Sequence, residues 1–171
     1  QRGFLQFLPP EVMGSHVGTA PAHTTGRSQP LAFRAAVALQ GHFGVELDPE
    51  RLDAAETDAL RGWIGFYKDW RGHLHGSVWN GVTADGLVWH AAGTPHDWVL
   101  LVYRTEPAAQ PFPALLPLPF ADPAARYAVA RIGPDRRDPE AVFDGTWLAR
   151  AGLALPPLHA ERAVIYHGQA Q

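Results

Sequence analysis

Two different apolar rhythms divide this 171-residue chain near residue 76. Before that point, helix-like and strand-like stretches alternate. After it, short apolar runs are separated by Pro and Gly. Strand, helix, strand, helix is the repeat of a βα barrel or an open parallel sheet. A barrel needs eight such units and about 250 residues, and residues 1–76 hold two. Their strands therefore expect neighbours that lie outside this chain.

In the first part, Gln1 to Leu8 is apolar with no helix N-cap before it, so it reads as the end of an element begun upstream. The chain is accordingly expected to be an incomplete piece of a larger protein. Pro9 to Gly14 reads as a stop and a short extended segment, and Ser15 to Arg27 as a polar loop. Ser28 is placed to cap a helix through Leu31, Arg34, Ala35, Ala38 and Leu39, with Pro30 tolerated in its first turn and Gly41 ending it. Phe43 to Leu47 follows as an extended run. Asp53 and Glu56 then have capping-box spacing, and Leu60, Trp63, Ile64, Tyr67 and Trp70 fall on one helical face.

The second part reads as strands. Ser77 to Val82 and Leu87 to Ala92 flank the hairpin signal Asp85-Gly86. Trp98 to Tyr103 is apolar on both parities, as in a strand buried on both faces. Phe112 to Phe120 carries prolines at 113, 117 and 119 and reads as an edge or irregular segment. Tyr127 to Ile132, Thr146 to Ala149 and Ala163 to Tyr166 are further short strands. This spacing implies an antiparallel β-sandwich over residues 77–171.

Composition removes several classes. The net charge is −3, with acids and bases mixed and no basic stripe, so no nucleic-acid partner is expected. The absence of cysteine removes disulfides and a thiol nucleophile. No apolar run reaches membrane-spanning length, so no membrane partner is expected. There is no phosphate loop, dinucleotide fingerprint, zinc-protease motif or nucleophile elbow.

Four groups of residues carry the remaining chemistry. His73 and His75 lack a third ligand at recognisable spacing, so they read as a helix C-terminus and no metal site or cofactor is assigned. Glu11 and Glu46 flank the two strands, and a glycosidase would need such carboxylates about 5–5.5 Å apart if it retains configuration. A structural or solvent-facing role is the stronger reading for Glu46, which lies near the C-terminal end of its strand. Gly14, Ser15 and His16 follow the first extended segment, where a barrel places its ligand-contacting loops, and are the substrate-binding candidates. Trp79, Trp89 and Trp98 read as core rather than as a sugar-stacking platform.

These residues carry a resemblance. Pro10-Glu-Val-Met-Gly-Ser-His-Val17, His23-Thr-Thr-Gly-Arg27, Leu31-Ala-Phe-Arg34 and Gly41-His-Phe-Gly-Val-Glu-Leu-Asp48 resemble the late barrel of α-galactosidases in glycoside hydrolase family 36. Gly145 to Pro156 is similar to part of their terminal sandwich. The resemblance implies the last βα units of a TIM-type barrel over residues 1–76 and a C-terminal antiparallel β-sandwich over 77–171. It implies release of terminal α-linked galactose, as from raffinose or melibiose, with retention and without a metal. It also implies that both catalytic aspartates lie upstream, so no residue of this chain inherits a catalytic role and the chain alone is expected to be inactive. A cytoplasmic location is the expectation, and a homo-oligomer is left open. The competing readings are a stand-alone β-sandwich that binds carbohydrate or another subunit, and an unrelated fold using Glu11 and Glu46.

Overall fold

A computed structural model describes residues 3–171. Two short strands, β1 (Gly14–Gly18) and β2 (His42–Glu46), pair in parallel from Gly14 opposite His42 to Gly18 opposite Glu46. Each is followed by a helix: α1 (Leu31–Ala38) after β1 and α2 (Ala54–Leu74) after β2. The expected βα repeat is therefore present twice. The capping box of α2 is complete, because Asp53 accepts from the Glu56 N–H at 2.7 Å and Glu56 accepts from the Asp53 N–H at 3.3 Å.

The rest of the chain builds one antiparallel sheet. Its strands are β3 (Ser77–Val82), β4 (Val88–Thr94), β5 (Asp97–Arg104), β6 (Arg126–Gly133), β7 (Arg136–Asp144) and β8 (Arg162–Ala170). They lie in the order β3-β4-β5-β8-β6-β7. The Asp85-Gly86 turn joins β3 to β4, with Gly86 at φ 81°, which a side chain would resist. Buried Arg104 holds this turn: its guanidinium donates to the Asp85 carbonyl and, at 2.8 Å, to the Asp85 carboxylate, while Nε donates to the Leu158 carbonyl.

Strand β5 alternates between two cores, as its double-sided apolar pattern requires. Val99, Leu101 and Tyr103 belong to a core shared with Phe33 and Leu39 near α1 and with Leu60, Trp63 and Phe66 of α2. Trp98, Leu100 and Val102 belong to a second core with Leu116, Leu118, Phe120, Tyr127 and Leu148. One face of the sheet is thus covered by helices. The other is covered by residues 112–120 and by α3 (Gly145–Arg150). Residues 112–120 are irregular, as the prolines indicated, with a single bridge between Leu116 and Leu153.

Four local expectations are corrected. Pro10–Val12 is a 3-10 turn rather than extended chain. Within the expected loop 15–27, Ser15 to Gly18 is part of β1; its alternation was hidden because one face carries Gly and His. Ser28 does not cap α1, which begins after Pro30 with no side-chain cap. Thr146 to Ala149 is helical, because the Asp144 carboxylate accepts from the N–H groups of Thr146 (2.8 Å) and Trp147 (3.3 Å) and starts α3. Strand β7 had no sequence counterpart at all. The expected end of an upstream element at Gln1 to Leu8 falls partly outside the described residues; within them, Phe4–Gln6 is a 3-10 turn. Among the described residues no helix is long and apolar enough to cross a membrane.

Candidate functional site on the parallel strand pair

Partners in a parallel pair point to the same side, so β1 and β2 present two unlike faces. Ser15, Val17, Phe43 and Val45 form one face; Val17 is fully buried, and Phe43 packs against the core shared with α1 and α2. Gly14, His16, Gly18, His42, Gly44 and Glu46 form the other, with no large apolar side chain. His16 is the centre of that second face. Its Nδ1 lies 3.8 Å from Glu46 Oε2, with both side chains at least half exposed. The imidazole lies over Gly44, its direct partner in the register, where any Cβ would press on the ring. Gly14 flanks the same ring on the other side.

The structure therefore brings Gly14 and His16 together and adds Gly44 and Glu46. Ser15 lies on the opposite face and is buried. The sequence signal for the added pair was the run Gly41-His-Phe-Gly-Val-Glu46, in which every second residue is Gly, His or Glu on one parity only from His42 onward. The His16–Glu46 meeting itself is non-local and had no sequence signature.

At the C-terminal ends of the strands, the loops after β1 and β2 border a cleft of about 250 Å³. Thr19, His23, Arg34, Asp48 and Glu56 are among its lining residues. Open α/β folds bind ligands at this end. Arg34 ties α1 to the end of β1 by donating to the Gly18 and Gln29 carbonyls, the latter at 3.0 Å. Burial lowers its pKa, and nearby Glu56 works against that shift.

Glu11 and Glu46 lie at opposite ends of the strand pair. Glu11 precedes β1, and Glu46 ends β2 opposite Gly18. The four residue steps from Gly14 to Gly18 alone put about 13 Å of backbone between those two ends of the strand pair. His73 and His75 also part company. His75 Nε2 lies 3.1 Å from the Tyr67 hydroxyl, and its ring meets His42 edge-on at 4.8 Å. Desolvation, then His42, lower its pKa. The three tryptophans converge on Phe120, which stacks on Trp79 at 4.8 Å and meets Trp98 edge-on at 5.7 Å. Trp98 is wholly buried, so this cluster is packing rather than an open platform.

Consecutive βα units continued by an antiparallel sheet recur in solved α-galactosidases. The galactosidase domain of the α-galactosidase/sucrose kinase AgaSK superposes with a TM-score of 0.82 at 25% identity, over 99% of this chain and 24% of that one. The α-galactosidase AgaA of Geobacillus stearothermophilus, solved in complex with stachyose, superposes with a TM-score of 0.80 at 25% identity, over 95% of this chain and 22% of that one. In sequence, an α-galactosidase of Escherichia coli is 34% identical over 96% of this chain and 26% of its own length. A family model described as melibiase matches residues 1–76. Over nearly its whole length the chain resembles the α-galactosidases of glycoside hydrolase family 36, and its first 76 residues match the melibiase model. It spans about a quarter of the length of the Escherichia coli relative.

Proposed function

We propose that this chain is the C-terminal part of a retaining α-galactosidase that removes terminal α-linked galactose from raffinose- or melibiose-type sugars. In this reading residues 1–76 are the last βα units of the TIM-type catalytic barrel, and residues 77–171 are the β-domain packed behind it. The melibiase match over residues 1–76 supports that division. The observation that carries the reading is the agreement of sequence and fold with α-galactosidases over nearly the whole chain. Relatives solved with raffinose and with stachyose support α-galactosides as the substrate class.

The polar face of β1 and β2 would then look into the barrel, with Gly14 and His16 on the substrate side. His16 would donate or accept a hydrogen bond at a sugar hydroxyl, oriented by Glu46, and the glycines would leave room for the ring. Ser15, buried on the helix side, would fix the strand rather than touch sugar. The chemical step would belong to groups outside this chain.

The test is a chimera in which this chain replaces the matching region of the Escherichia coli α-galactosidase. The chimera is expected to hydrolyse p-nitrophenyl α-galactoside, while the 171-residue chain alone does not. His16→Ala in the chimera should raise KM by about tenfold or lower kcat/KM comparably, the worth of one substrate hydrogen bond. A folded chimera with no turnover would sink the reading.

A further inference from the structure

We propose that His73, Asp97 and His167 form a binding site for a divalent transition cation of the zinc type, at the seam between α2 and the sheet. The three residues come from three elements: the last turn of α2, the first position of β5, and β8. In the antiparallel register Asp97 lies opposite Gln169 and Val99 opposite His167, so Asp97 and His167 are diagonal neighbours on the face that α2 covers. His73 reaches the same point from the helix. Its Nε2 lies 3.1 Å from Asp97 Oδ1, and His167 Nε2 lies 2.7 Å from the same oxygen. One donor atom from each residue lies within 4.8 Å of both others.

The donor set selects the ion. Two imidazole nitrogens and one carboxylate suit first-row divalent cations and are poor ligands for calcium or magnesium. Tetrahedral bonds of about 2.0–2.1 Å hold donor atoms roughly 3.3 Å apart, so the two His–Asp separations must open by tenths of an ångström while the two histidine nitrogens, within 4.8 Å of each other, draw together. His167 is buried at the back, with 6% of its side chain exposed. His73 and Asp97, at 31% and 37%, form a mouth through which an ion can enter. A fourth coordination position would face that mouth.

Arg137 is the built-in competitor. Its Nη2 lies 2.9 Å from His167 Nδ1, an arrangement in which Nδ1 accepts and Nε2 carries the proton donated to Asp97. A cation on Nε2 needs that lone pair free, so the ring proton must sit on Nδ1, and Arg137 must withdraw. It can do so: it is exposed on edge strand β7, with its guanidinium 6.0 Å above the Trp70 ring. Without the ion, Arg137, the Asp97–His167 hydrogen bond and the close approach of His73 fill the same place.

The experiment is calorimetric titration of Zn²⁺ into the full chain, with the visible absorption of bound Co²⁺ as a second readout. One Zn²⁺ per chain is expected at this site. Asp97→Asn and His73→Ala, checked for folding by circular dichroism, should weaken binding at least about tenfold. Arg137→Ala should tighten it, because it removes both the competing donor and a neighbouring positive charge. Binding that is equal in the wild type, Asp97→Asn and Arg137→Ala would overturn the proposal, as would no binding in Arg137→Ala. In either case the cluster is a hydrogen-bonded clasp only.

Discussion

His90 shows how one residue can set a protein's response to acid. It sits in β4 facing the helices, only 3% exposed, beside Leu39, Leu74, Val99 and Leu101. Neither ring nitrogen has a hydrogen-bond partner among the described residues. Burial alone pushes its pKa down to about 4 from an ordinary 6.5. A histidine neutral in the fold but protonated in the unfolded chain contributes stability that is complete above pH 6.5 and is lost as pH falls toward 4. The loss amounts to about 3 kcal/mol over that window. Urea unfolding of the wild type and of His90→Leu, at pH 7 and pH 4.5, should show a markedly flatter response in the variant. Taking the difference cancels the other titrating groups. No feature of the sequence marked His90, since an isolated histidine in an apolar strand has no signature until its neighbours are known.

At the scale of elements, α2 was the most legible part of the chain and β7 the least. Helix α2 is written locally: the Asp53–Glu56 box starts it, and the apolar spacing from Leu60 to Trp70 fixes its inward face. Asp53→Ala should cost about 1 kcal/mol, read as a shift in urea midpoint without change in slope, since the helix is held mainly by its packing. The β3–β4 turn and β5 were equally readable, one from Asp85-Gly86 and the other from its double-sided apolar run. Strand β7 is mostly exposed, and its Arg-Arg-Asp-Pro-Glu segment has no apolar alternation. Only pairing with β6 makes it a strand, around an irregularity between Val129 and Ala130. Helix α3 was misread because Thr and Trp favour strands by propensity, while the deciding signal was a carboxylate one residue before it. The candidate site was half legible for the same reason. Position along the chain pointed to Gly14, Ser15 and His16, but which of them share a face depended on finding β1, and Glu46 joined His16 only through the parallel register.

For the whole molecule, the decisive fact is that one core crosses residue 76. Phe33, Leu60, Trp63 and Phe66 pack in the same cluster as Val99, Leu101, Ile132 and Ile165. The sheet therefore depends on the helices for cover on one side, which counts against a free-standing module of strands alone. Phe66→Ala should cost about 3 kcal/mol. Hydrogen exchange should quicken in β5 and β8 together with α2; quickening confined to α2 would mean that the two parts unfold independently. Sequence rhythm located residue 76 correctly as the place where secondary structure changes, yet could not show this shared packing, because burial is made by residues far apart in the chain.

That shared core also limits how such a protein can be remodelled by gene shuffling. A crossover at residue 76 looks harmless in the sequence, falling between a helix and a strand. It would nonetheless give two parents each half of one interlocking surface, so side chains shaped for one partner would meet another. Exchanges between relatives should survive when both parts are inherited as a block, and a hybrid joined at the junction would need compensating changes on α2 and on β5 together.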